Sequence, residues 1–168
     1  MFRSTRSRLL VCLVAALVAA MAVVFAVRLS MGHLSQLEAR EGEIADFSAL
    51  APQAANRFLM CPKNYCNVPP DAASPVFDLP WEALRDRWSE MVAGQRGVRL
   101  VAGDGDLGKI TYIQRSLVLH LPDVITIQFV PLGDSRSTFA LVSQSRYDVP
   151  DLGANRLRVE DWVRRLKR

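Results

Sequence analysis

The chain has 168 residues, half of them hydrophobic, with 21 basic and 17 acidic side chains. Four of the basic residues, Arg3, Arg6, Arg8 and Arg28, flank a single apolar run, and from Ser30 onward 17 basic residues face 17 acidic ones. The net charge of +4 therefore belongs to the flanks of that run, which excludes a basic nucleic-acid-binding surface and predicts no nucleic-acid partner.

Residues 1–8 are a basic N-terminal flank. Leu9–Val27 then reads LLVCLVAALVAAMAVVFAV, with no charge, no Gly and no Pro. As a helix rising about 1.5 Å per residue, this run is roughly 28 Å long, close to the ~30 Å hydrocarbon core of a bilayer. It is apolar on every face, so it predicts a spanning helix in contact with lipid through residues 9–27 rather than an amphipathic core helix. A cleaved signal peptide is the alternative. Its apolar region would be shorter, about 7–15 residues, and would precede the cleavage site. Here the one Ala-x-Ala match, Ala20-Met21-Ala22, lies inside the run, and Cys12 sits at its start rather than after it. Arg3, Arg6 and Arg8 before the span outnumber Arg28 and Arg40 after it. That bias predicts a single-pass protein of the bacterial inner membrane, N-terminus cytoplasmic and domain periplasmic.

Residues 28–57 carry mixed charge without a sustained period and are expected to form a juxtamembrane linker, with a short helix around Leu34–Ala45. The globular domain is expected over residues 58–168. Cys61 and Cys66 enclose four residues in what should be an oxidising compartment, which points to a disulfide. A redox or zinc pair is the alternative, but the spacing is not Cys-x-x-Cys and no second Cys/His pair accompanies it.

Five prolines between Cys61 and Pro80 predict an ordered loop. Asp78 is positioned to cap a helix with Pro80 in its first turn. That helix is expected over Trp81–Ala93, with Trp81, Leu84, Trp88, Met91 and Val92 on one face and Gly94 and Gly97 beyond its end. Four strands follow: Val98–Ala102, Lys109–Leu119, Val124–Val130 and Thr138–Arg146. Connections this short predict an antiparallel meander. A closing helix over about Gly153–Leu166 buries Val159, Trp162, Val163 and Leu166. The expected fold is α+β: a transmembrane helix, then a four-stranded antiparallel sheet packed on one face by two helices.

Several segments together carry a family resemblance. They are Cys61-Pro62 with Asn64-Tyr65-Cys66-Asn67, Gln114-Arg115-Ser116, Leu121-Pro122-Asp123 and the tail. The tail comprises Ser143-Gln144-Ser145-Arg146-Tyr147 and Asp151-Leu152-Gly153-Ala154-Asn155-Arg156-Leu157-Arg158-Val159. Over roughly residues 58–166 the chain resembles the domain-of-unknown-function 1499 family, whose closing pattern runs from Ser-Arg-Ser-Arg into Asp-Leu-Gly-x-Asn-x-x-Arg. Gln144 stands where that pattern has arginine, and Asp148 where it has glycine. The resemblance implies a fold and a frequent membrane association, but no reaction, cofactor or substrate.

Two readings of the tail compete. In the structural one, Asp151 caps the closing helix, Gly153 lets it approach the sheet, and Asn155 and Arg158, three apart on one helix face, satisfy buried acceptors. In the functional one, Arg115, Ser116, Ser143, Ser145, Arg146, Asn155 and Arg158 form a polar site for an anionic group such as a lipid head or carboxylate. Enzyme signatures are absent: His33 and His120 have no nucleophile motif beside them, and Gly103-Asp104-Gly105-Asp106 lacks the later ligands of a calcium loop. No catalytic residue, cofactor or metal is therefore expected. The reading is a membrane-anchored, periplasm-facing, non-catalytic module that binds a small ligand, lipid or envelope protein. The alternative is an enzyme of unrecognised type.

Overall fold

Between residues 98 and 146, apolar and polar side chains alternate between turns rich in Gly, Asp and Pro, a pattern that folds into a sheet with one face toward a core. The computed structural model describes residues 3–37, 45–52, 56–104, 108–116, 121–146 and 151–168. Its elements are α1 (Arg3–Leu37), β1 (Arg57–Cys61), β2 (Ala72–Ala73), α2 (Trp81–Ala93), β3 (Val98–Asp104), β4 (Lys109–Arg115), β5 (Pro122–Pro131), β6 (Ser137–Ser145) and α3 (Ala154–Leu166).

The stretch Val11–Ser30 of α1 has a mean hydropathy of 2.6 and none of it is buried. It is long and apolar enough to cross a membrane, a property that a signal sequence in this position shares. Leu34–Leu37 continue α1, and most of the expected short helix beyond them lies outside the described residues.

The sheet corrects the expected four antiparallel strands. It has six strands in the order β2-β1-β6-β5-β4-β3 and is mixed. Strands β3 to β6 are the anticipated antiparallel meander. Beside β6 lies β1, antiparallel through Phe58↔Ser143 and Leu59↔Val142, and β2 pairs parallel to β1 through Met60↔Ala72. All five residues of β1 are buried, so both of its faces are covered and no period-2 signal marks it. With only two residues, β2 is too short to carry any pattern.

Both helices cover one face of the sheet, as expected. Leu84, Trp88 and Val92 of α2 meet Val159, Trp162, Val163 and Leu166 of α3 over Phe58, Met60, Ile125, Ile127, Phe129, Phe139 and Leu141. Trp88 packs edge-on against Trp162, with ring centroids 5.7 Å apart. Helix α2 spans the expected residues, but Asp78 does not cap it: Pro80 is the N-cap and no side chain bonds there. Gly94 keeps right-handed geometry and Gly97 takes the left-handed turn instead, at φ +71°.

The opposite face carries a smaller core. Phe47 packs with Leu59, Cys61, Ala140 and Val142, flanked by Ala45, Leu50, Cys66 and Val68. Cys61 and Cys66 form a disulfide with Cα atoms 6.3 Å apart. Just beyond the bridge, Asn67 holds down residues 45–50: its side chain both accepts from Leu50 N and donates to Leu50 O, each at 3.0 Å. A bridge over so short a loop contributes at most about 2–3 kcal/mol by chain entropy. Cys61→Ser/Cys66→Ser should therefore lower the melting temperature while leaving the fold intact. Proteolysis within residues 45–50 should accelerate, and unchanged cleavage there would show that the loop does not restrain this segment.

Candidate functional site

Alternation along β6 turns Ser143 and Ser145 to the helix face, and helical spacing turns Asn155 and Arg158 back toward them. The result is one closed polar network at the strand-to-helix junction. The Arg158 guanidinium forms a salt bridge with Asp123 on β5, their side chains 11 % and 9 % exposed. It also donates to Ser143 Oγ at 2.9 Å, Asn155 Oδ1 at 2.6 Å and Gln114 Oε1 on β4. Ser143 Oγ donates to Asn155 Oδ1 at 2.7 Å, and Ser145 Oγ donates to Asp123 Oδ1 at 2.6 Å. The Asn155 amide donates to the carbonyl of Asn56 at 2.9 Å, tying α3 to the segment before β1. Ser143 and Asn155 are fully buried.

Asp151 receives the first turn of α3. Its Oδ1 accepts from Gly153 N at 3.0 Å, and its Oδ2 accepts from Asn155 N at 2.9 Å and Asn155 Nδ2 at 2.7 Å. Partial burial works against ionisation, but these N–H donors outweigh it and hold the carboxyl below its ordinary range. Gly153 is needed for a different reason from the one expected. Nothing lies within 4 Å of where its Cβ would be, so no close approach requires it. Its φ of +83° does.

Because both carboxylate oxygens of Asp151 accept N–H groups, an amide in its place would turn an NH2 against a donor. Asp151→Asn should thus cost about 1–2 kcal/mol, close to Asp151→Ala, in urea melts of the full-length protein. The native carboxyl is depressed, so this stabilisation is present above the unfolded-state pKa and is lost as pH falls through the native one. The gap between wild type and Asp151→Ala should close in acid. A constant gap would show that the carboxylate charge is not what α3 needs.

The remaining expected site residues lie elsewhere. Ser116 closes the β4–β5 connection, its Oγ accepting from Leu121 N at 3.1 Å. Arg115 pairs with Pro122 in the β4–β5 register, and Arg146 N donates to Pro122 O at 3.1 Å. Arg115 is one residue from Gln114 and so belongs to the other face of the sheet. The structure brings Ser143, Ser145, Asn155, Arg158, Asp151 and Gly153 together, and it does not bring Arg115, Ser116 or Arg146 into that network. Asp148, His120 and the Gly105-Asp106 part of the Gly103-Asp104-Gly105-Asp106 turn lie outside the described residues.

Sequence reasoning missed Asp123, Gln114 and Arg57. Asp123 and Gln114 stand inside the segments that carry the family resemblance, and their signal is register: Gln114, Asp123 and Ser145 form one cross-strand row. Arg57 fell in the span read as linker, yet it is buried on β1.

Two of the concavities among the described residues adjoin the sheet. One, of about 500 Å3, lies between α2 and β3–β4, with Val92, Val98, Leu100, Ile110 and Tyr112 inside and Arg85 and Ser89 at its rim. Arg85 is engaged by Asp86 at 2.8 Å and lies over the Trp81 ring. The other, of about 480 Å3, opens on the helix-free face between residues 45–49 and β5–β6. It is lined by Val124, Thr126, Val142, Gln144 and Arg146 among others. Among the described residues, no cluster of His, Cys, Asp and Glu could hold a metal.

An apolar helix followed by an α+β domain with a sealed strand-to-helix motif defines the class of the protein. The chain belongs to the family described as Protein of unknown function (DUF1499), which matches residues 49–166. No curated protein and no solved structure matches it.

Proposed function

We propose that this is a membrane-anchored, non-catalytic module that presents its domain on the periplasmic side and binds a small ligand or lipid of the cell envelope. One observation carries this reading. The side chains of Ser143, Asp151, Asn155 and Arg158 are engaged inside the fold, whereas a groove of about 480 Å3, lined by Gln144 and Arg146 among others, opens on the other face of the sheet. A site of that size suits a small molecule. The basic flank Arg3, Arg6 and Arg8 supports the orientation, with α1 as anchor.

Native mass spectrometry of the full-length protein extracted in detergent tests the ligand. A retained small molecule released on denaturation is expected. A bare native mass would overturn the binding reading, and turnover of the retained molecule would replace it with an enzyme. A reporter active only in the periplasm, fused after Arg168, should be active. Activity of a cytoplasm-only reporter there would overturn the orientation.

A further inference from the structure

The groove on the helix-free face joins an apolar floor to a cationic end. Val124, Thr126 and Val142 form the floor, and Gln144 and Arg146 line the groove beside them. The β1–β6 register places Arg57 next to Gln144 on this same face, behind the residues that line the groove. Arg57 is only 7 % exposed. Its Nη1 donates to Ala51 O at 2.7 Å, while Nε and Nη2 meet no acceptor among the described residues. Each carboxylate ion pair among the described residues is made by another arginine, so this buried cation has no counter-charge there. Burying a guanidinium with unmet donors is unfavourable, and an anion reaching it would recover both the charge and the hydrogen bonds. Asp46, an acid that also lines the groove, already accepts from Ser48 N and Ser48 Oγ at 2.9 and 2.7 Å.

We propose that this groove binds an amphiphilic anion, a carboxylate or phosphate on a short apolar chain. Its oxygens accept from Arg57 and Arg146, and its chain lies on Val124 and Val142. The inference rests on the binding-module reading and adds the ligand's chemistry. The anchor proposed above would hold the groove near a lipid surface, where such molecules concentrate.

The test titrates the full-length protein, in phosphatidylcholine nanodiscs, with octanoate, octanol, inorganic phosphate and dihexanoyl phosphatidate. Octanoate or the phosphatidate should bind saturably, with octanol and phosphate at least about tenfold weaker, since losing a charge-assisted hydrogen bond costs roughly that much. The stronger of the two binders distinguishes a fatty-acid source from a phospholipid one, and either supports the proposal. Arg146→Gln and Arg57→Met should each weaken binding about 10- to 100-fold, and Gln144→Arg should tighten it. If Arg57→Met fails to fold, Arg146→Gln and Gln144→Arg at exposed positions decide the matter. Affinities unchanged in both would overturn the proposal, as would octanol or phosphate binding as tightly as octanoate. A molecule retained in native mass spectra of wild type and of Arg146→Gln alike would remove the groove while leaving the module reading standing. A wild type that retains nothing and binds no probe would remove both.

Discussion

Asp123→Ala should destabilise the domain by about 3–5 kcal/mol, because it strands a largely buried arginine. The Arg158 side chain is 11 % exposed, and among the described residues its ion pair is with Asp123. Ser145 Oγ also donates to that carboxylate, so the substitution orphans a hydroxyl as well. The network joins β4, β5, β6 and α3 through Gln114, Asp123, Ser143 and Asn155, and its loss should loosen α3 as a unit. A pairwise control separates a lost ion pair from an orphaned charge. Asp123→Leu combined with Arg158→Met removes both charges at similar volume and should cost markedly less than the two single changes together. A coupling of about 1–3 kcal/mol is expected between them. Urea unfolding of the full-length protein in detergent, followed by tryptophan fluorescence, measures it. Additive single effects would show that the pair contributes little beyond filling space.

The same network shows what sequence alone could and could not resolve. Ser143 and Ser145 are two apart on a strand, and Asn155 and Arg158 three apart on a helix, so local periodicity already placed each pair on one face. Asp123 has no local signal of this kind. It lies 35 residues before Arg158, and only the β5–β6 register, Asp123↔Ser145, brings it under the guanidinium. Long-range partners depend on register, and register depends on which strands exist.

The same logic separates the elements that were legible from those that were not. Trp81, Leu84, Trp88 and Val92 recur at helical spacing, so α2 could be bounded to the residue. In β1, Arg57-Phe58-Leu59-Met60-Cys61 is buried on both faces, by the helical core on one side and by Phe47 on the other. It therefore lacks alternation, and it sits between the span read as linker and the Pro-rich loop. Missing β1 also hid Arg57, which falls at the end of the span 28–57 read as linker. Tertiary burial places this arginine inside the domain, beside the groove-lining Gln144. Asp78 failed in the opposite direction. Its residue type is right for a cap, but Pro80 starts the helix and no side chain bonds its first turn.

Trp88→Ala should cost about 3–5 kcal/mol, the range for deleting a large buried aromatic. Trp88 is fully buried and sits where three layers of side chains converge. Its ring meets Trp162 of α3 edge-on at 5.7 Å, Phe129 of β5 edge-on at 6.5 Å and Phe139 of β6 at 6.0 Å. Removing it opens a cavity bounded by both helices and the sheet, and these rigid elements can collapse into it only partly. Trp88→Phe keeps an aromatic ring against Trp162 and should lose much less. Aromatic pairing itself is worth about 0.5–1.5 kcal/mol beyond burial, so a Trp88→Ala/Trp162→Ala cycle should show a coupling of that size. The decisive comparison is with the groove. Trp88 belongs to the helix-side core and Arg57 to the other face, so Trp88→Phe should leave octanoate affinity unchanged while lowering the melting temperature. Loss of affinity in Trp88→Phe at temperatures where the domain remains folded would show that the two faces of the sheet are coupled, and that the helix-side core takes part in binding.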